Sequence, residues 1–148
     1  MVQIRTERLT TAVSEIAQLA QAHWAEVNVF DVPLDIDWDQ YLKLDQVGRY
    51  DLTTVRVAER LVGWLGFFIY PHLRHQNLLL AREDWYYVQP DFRGQGLGRK
   101  LFTHAESNLR DQGVNRIMVS CKTDHDHTGL LEGLGYQHHE KNFTKALD

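Results

Sequence analysis

The stretch that decides the fold runs from Glu83 to Leu109 and reads EDWYYVQPDFRGQGLGRKLFTHAESNL. Trp85 to Val88 are aromatic and β-branched, a strand composition. Pro90 breaks the run, and glycines follow at alternate positions, Gly94, Gly96 and Gly98. Beyond them Leu97, Leu101, Phe102, Ala105 and Leu109 recur at helical spacing, with Gly113 as the stop. The reading is strand, glycine-rich turn, helix. Glycines in such a turn permit positive φ and close approach of a ligand to the main chain. The helix start adds unpaired N–H groups and the positive end of the dipole, so the turn is suited to a phosphate or pyrophosphate.

Spacing narrows the choice of anion. A dinucleotide fingerprint needs G-x-G-x-x-G, and a nucleotide-triphosphate loop needs G-x-x-x-x-G-K-[ST]. This chain reads G-x-G-x-G and carries Arg99 five residues after Gly94, so it matches neither.

Outward from that stretch, Val2 to Arg5 alternates as a short edge strand, and Val13, Ile16, Ala17, Ala20, Trp24 and Val27 mark a first helix, capped at Thr10 or Thr11. Between Glu26 and Asp45 the pattern becomes irregular and acidic, with Asp31, Asp35, Asp37 and Asp39 against Lys43 alone. That run suits either a solvated loop with Asp at its turns or an acidic mouth that attracts a cation. Leu52 to Arg60 and Leu61 to Tyr70 predict a hairpin ended by Pro71, and 72–80 reads as a loop. A fourth strand over 82–88 and a fifth over Arg116 to Cys121 bracket the central helix, and a βαβ unit of that length implies a parallel pair. A short helix near Asp126 to Leu134 and final strands from Tyr136 to Leu147 complete the chain. The fold class is α+β: a mixed, mostly antiparallel sheet with a central parallel pair, flanked by helices.

A length of 148 residues, 43% hydrophobic and 24% charged, fits one domain over residues 1–148 with a sizeable core. A net charge of −4 gives no basic footprint, which argues against nucleic acid as a partner. Met1 to Leu9 is charged rather than a signal core, and no run is long enough for a membrane span. A single cysteine excludes an internal disulfide and suits a reducing, cytoplasmic setting.

Arg93, Gly96 and Gly98 satisfy R-x-x-G-x-G, preceded by V-x-P-x-F-R-G and followed downstream by E-x-L-G-Y at Glu132 to Tyr136. In these features the sequence resembles the GNAT N-acetyltransferases, closely over about the last 65 residues. The resemblance implies acetyl-CoA as cosubstrate, with its pyrophosphate held by the main chain around Phe92, Arg93, Gly94, Gln95, Gly96, Gly98 and Arg99. Its pantetheine arm would pair with the main chain of Val88, in a gap between the fourth and fifth strands.

The reaction so implied moves an acetyl group to an amine acceptor, a small cationic molecule or a protein lysine. An alkyl ammonium with a pKa near 10.4 needs a base to free its lone pair. Glu83 and Asp84 are the carboxylates on the fourth strand, and alternation sends them to opposite faces. The resemblance ranks Asp84 first as general base and Glu83 second. Where the family commonly places a tyrosine that protonates the leaving thiolate, this chain has Leu131, and Asp124 stands at a usual Asn position. Tyr136, His127 and Ser120 are the substitute donors. Leu131 supports a second reading, a GNAT-fold module that binds CoA or a protein without turnover. The paired histidines, with Cys121 the one available thiol, make a poor zinc set, so no metal is expected. A homodimer remains open.

Overall fold

The computed structural model describes residues 1–27, 30 and 32–147. Its elements in chain order are β1 (Val2–Thr6), α1 (Leu9–Val27), α2 (Trp38–Gln46), β2 (Tyr50–Val57), β3 (Arg60–His72) and β4 (His75–Val88). A 3₁₀ turn at Pro90–Phe92 leads to α3 (Leu97–Asp111), β5 (Arg116–Met118) and α4 (Thr128–Gly133). The strands lie in sequence order, β1-β2-β3-β4-β5, antiparallel except for the parallel β4/β5 pair. The mixed α+β sheet is therefore as expected, but the parallel pair closes one side of the described sheet instead of lying at its centre.

The reason is the tail. No strand forms among 136–147, because Gln137 to Asn142 is six polar residues in a row, with no apolar alternation to bury. Three other expectations are also corrected. The segment 72–80 is strand on both sides of a turn at 73–74: β3 runs through Pro71, beside a register shift, to His72, and β4 begins at His75. Helix α1 starts at Leu9, ahead of Thr10 and Thr11. The acidic stretch contains α2, whose N-cap Asp37 accepts from the Gln40 N–H at 3.0 Å; Asp31 lies outside the described residues.

Two cores flank the sheet. On one face α3 and α4 pack Leu97, Leu101, Phe102, Ala105, Leu109 and Leu131 onto Val62, Leu65, Phe67, Ala81 and Val88. On the other, Leu9, Ala12, Ile16 and Ala20 of α1 and half-buried Trp38 and Tyr41 of α2 cover Tyr50, Trp64, Trp85 and Tyr87. Arg56 links β2 to α1 through ion pairs with Glu7 (2.8 Å) and Glu15 (2.9 Å), its side chain 6% exposed.

Two local features set up the site. The β4/β5 ladder holds only Leu80 to Arg82 against Arg116 to Met118, so the strands part from Glu83 onward. Opposite β3, Glu83 pairs with Phe67 and Trp85 with Gly66, which leaves Asp84 as an extra, unpaired residue. This is a β-bulge, and it turns Asp84 and Trp85 toward the same face.

Candidate functional site

The glycine turn forms as the sequence implies. Gly94 and Gly96 both sit at φ 77°, a left-handed conformation costly for any residue with a Cβ, and Gly96 is the N-cap of α3. The Phe92 N–H donates to the Gln89 carbonyl at 2.9 Å and the Arg93 N–H to the Pro90 carbonyl at 3.2 Å, so these two donors are committed. From Gly94 to Arg99 no N–H donates to a backbone carbonyl among the described residues. That run of free donors at a helix N-terminus is a cradle for a diphosphate. A Cβ at position 98 would collide with the Tyr86 hydroxyl, so glycine is needed there for packing.

The turn opens onto a cavity of about 490 Å³ lined by Tyr86, Val88, Phe92, Gly94, Gly96, Gly98, Arg99, His125 and His127, among others. Of the expected binding residues, all but Gln95 line this cavity, with two differences in role. Arg93 does not point into solvent as a free cation: its Nε donates to the Val88 carbonyl at 2.7 Å and its Nη2 to Glu26 Oε1 at 2.6 Å. The Val88 carbonyl is accordingly committed to Arg93. Arg99 Nη2 reaches the Gly133 carbonyl at 3.2 Å, tying α3 to α4.

Glu83 and Asp84 are the next groups down β4. Neither lines the cavity, and they face opposite sides of the sheet. Asp84 lies in the aromatic core, where its Oδ2 accepts from the hydroxyls of Tyr41 and Tyr50, each at 2.9 Å. Burial raises its pKa, against the lowering effect of those two bonds. Gly66 makes this possible, because a Cβ there would overlap the Tyr50 hydroxyl. Glu83 lies where the strands part, its Oε1 receiving the Ser120 N–H at 3.5 Å. Burial pushes its pKa up to about 7; the Ser120 contact lowers it, and nearby Asp84 raises it. A carboxyl poised near neutrality can take a proton at working pH.

The remaining chemistry is arranged around these two. His23 Nδ1 accepts from Trp85 Nε1 at 2.9 Å, and burial brings His23 down to about 4, so it is neutral. His125 pairs with Glu26 at 3.6 Å. Of the three substitute proton donors, Tyr136 donates to Glu106 at 2.8 Å beside a different groove, Ser120 is exposed, and only His127 lines the cavity. Leu131 is 9% exposed and packed in the aliphatic core. Of the acidic stretch, Asp37 is spent on its helix cap, Asp45 on Arg8 at 3.0 Å and Glu26 on Arg93. Among the described residues no group of three His, Cys, Asp or Glu side chains converges as a metal site requires, and no helix is long and apolar enough to cross a membrane.

Sequence reasoning did not find the Arg93–Glu26 link or the tyrosine pair on Asp84. Both join residues more than 30 positions apart, and no local pattern announces them.

Solved structures with this fold include ribosomal-protein-alanine N-acetyltransferase from Brucella melitensis biovar Abortus 2308, with TM-score 0.75, 20% identity and 100% of both chains covered. An aminoglycoside acetyltransferase from an uncultured soil metagenomic sample, in complex with trehalose, matches at TM-score 0.74 and 17% identity over 99% of this chain and 97% of its own. A predicted acetyltransferase from Clostridium acetobutylicum, solved with acetyl-CoA, matches at TM-score 0.74 and 10% identity over 99% and 96%. At these identities the likeness is one of fold. The sequence itself matches the model of the acetyltransferase (GNAT) family over residues 13–136, most of its length. The chain therefore belongs to the GNAT acetyltransferase family.

Proposed function

We propose that this protein transfers an acetyl group from acetyl-CoA to a primary amine by direct attack within a ternary complex. The observation that carries the reading is the run of free N–H groups from Gly94 to Arg99 opening onto the cavity, together with the Glu83 carboxyl where β4 and β5 part. A diphosphate on the turn would direct an extended arm toward the gap, and the Clostridium acetobutylicum neighbour was solved with acetyl-CoA. The cavity, about 490 Å³, is of ordinary size for a ligand of which part stays in solvent.

Glu83 is then the general base, in preference to Asp84. Its pKa near 7 lets it hold or release a proton at neutral pH, and it stands in the gap. Asp84 receives two tyrosine hydroxyls within a packed core and acts as a positioning residue for β4. The acceptor is a cationic small molecule or a protein lysine. By their names, one structural neighbour acetylates aminoglycosides and another an alanine of a ribosomal protein, so both small-molecule and protein acceptors occur on this fold.

The test is a thermal shift with acetyl-CoA, free CoA and NAD, followed by an acceptor panel of polyamine, aminoglycoside, and peptides with a free lysine or N-terminus. Acetyl-CoA at a hundred times its Kd should stabilise the fold by about 2.7 kcal/mol. A shift with acetyl-CoA and turnover with one amine class support the proposal. A shift without turnover on any amine leaves the CoA-binding module, and no shift with either CoA form rejects the site.

A further inference from the structure

This inference rests on the acetyl-transfer reading above, which leaves one proton without a source. As the amine nitrogen bonds to the carbonyl carbon, Glu83 takes a proton from nitrogen. As the carbon–sulfur bond breaks, its electron pair goes to sulfur, and the thiolate takes up a proton to leave as the thiol. The donor of that proton has to reach the gap between the parted strands.

The groups lining the cavity that carry N–H or O–H protons are Tyr86, Tyr87, Arg93, Arg99, His125 and His127. Arginine keeps its protons at any working pH. Tyr87 packs against Trp64 and His23 and lies under the Arg93 guanidinium at 5.6 Å. His125 is engaged with Glu26. The Tyr86 hydroxyl lies against Gly98, at the root of the anion turn. His127 is differently placed. Its ring stands 4.9 Å from that of Tyr86 and 4.9 Å from that of His125, both edge-on, on the wall of the cavity. Its backbone N–H lies against the Cys121 sulfur, and Cys121 adjoins Ser120, the residue whose N–H meets Glu83. Glu83 and His127 are thus each in contact with the Ser120–Cys121 segment that follows β5.

We infer that His127 is a catalytic residue of this chain, giving its ring proton to the sulfur of the departing CoA. Position 131, one helical turn on, offers no proton because it is a buried leucine. After the step the imidazole is recharged from water and Glu83 releases its proton to water. Counted from the free amine, the sum is amine plus thioester giving amide plus thiol; an ammonium acceptor first gives up one further proton to water. Burial lowers the pKa of His127, as do the charges of His125 and Arg93, while Asp126 and Glu26 raise it. A thiolate forming beside the ring adds negative charge and so raises it when the proton is needed.

The experiment is histidine-ring NMR on the intact protein with free CoA and with desulfo-CoA, using His127→Gln to assign the signal. The expected result is a titration midpoint for His127 that differs by ~0.5 pH unit or more between the two complexes, since only one contains sulfur. Equal midpoints overturn the inference and leave the acetyltransferase reading intact, whereas failure to bind either ligand overturns that reading instead. With the amine that turns over in the panel, His127→Gln should lower kcat ~100-fold at unchanged acetyl-CoA affinity. That loss should shrink with a thioester of a more acidic thiol. Full activity in His127→Gln, or a loss confined to Tyr86→Phe, also overturns it.

Discussion

The face of the sheet beneath α3 is aliphatic and the face beneath α1 and α2 is aromatic, and each receives one of two adjacent carboxylates. On the aliphatic side Glu83 has a single weak partner and a pKa near 7. On the aromatic side Asp84 has two good hydrogen bonds and ring neighbours all round. The difference teaches that burial alone does not make a catalytic carboxyl. A group whose partners are all in place stabilises structure, and one left short of partners at an opening is free to exchange protons.

The strongest way to break this comparison is Glu83→Gln. It should lower kcat ~10²- to 10⁴-fold, and the wild-type rate should fall below about pH 7 as the base protonates. Pre-steady-state kinetics from pH 5 to 9 would show it. A stability measurement sharpens the same point. Because the folded-state pKa of Glu83 is raised, its contribution favours folding at low pH and declines as pH rises from ~4.5 to about 7. Glu83→Gln should therefore melt above wild type at pH 8 and alongside it at pH 4.

Gly98→Val comes next, since its side chain would displace Tyr86 beside the anion turn. Acetyl-CoA affinity should drop ~100-fold by calorimetry, a loss of about 2.7 kcal/mol. Asp84→Ala should leave acetyl-CoA affinity alone yet lower stability by about 2–3 kcal/mol in urea melts, as two tyrosine hydroxyls lose their acceptor. A large fall in cofactor affinity with no change in stability would reverse the two assignments. The smallest effect lies outside both faces. Ala58 and Glu59 turn the β2–β3 hairpin at φ 51° and 66°, a geometry that suits asparagine or glycine. Ala58→Asn should stabilise by about 0.5–1 kcal/mol with no change in kinetics.

How much of this was legible in the sequence depends on how local the cause is. The strand, turn and helix from Trp85 to Leu109 could be read because glycine spacing and apolar period agree there. The signal for α2 was also present, in a capping Asp37 followed by Trp38, Tyr41 and Leu42 at helical spacing, but the density of acids concealed it. The predicted tail strands failed because position in the chain stood in for apolar alternation. At the site, the conformation of the glycine turn was visible, whereas the different surroundings of Glu83 and Asp84 were not. Those surroundings depend on which residue the ladder leaves unpaired, and on a glycine in β3 that admits a tyrosine from β2. Likewise only the fold brings His127 beside Tyr86 on the cavity wall.

The unpaired Asp84 also says something about how this strand tolerates change in length. In the regularly paired stretches of β4, removing one residue would reverse the parity of all that follows and turn a core face outward. At the bulge the ladder already skips a residue, so a chain lacking Asp84 could keep Glu83 and Trp85 in their present registers. It would lose the buried carboxylate and nothing of the order in which side chains meet the two faces. Position 84 is thus a point in the strand where a single codon can be lost without rewriting its neighbours.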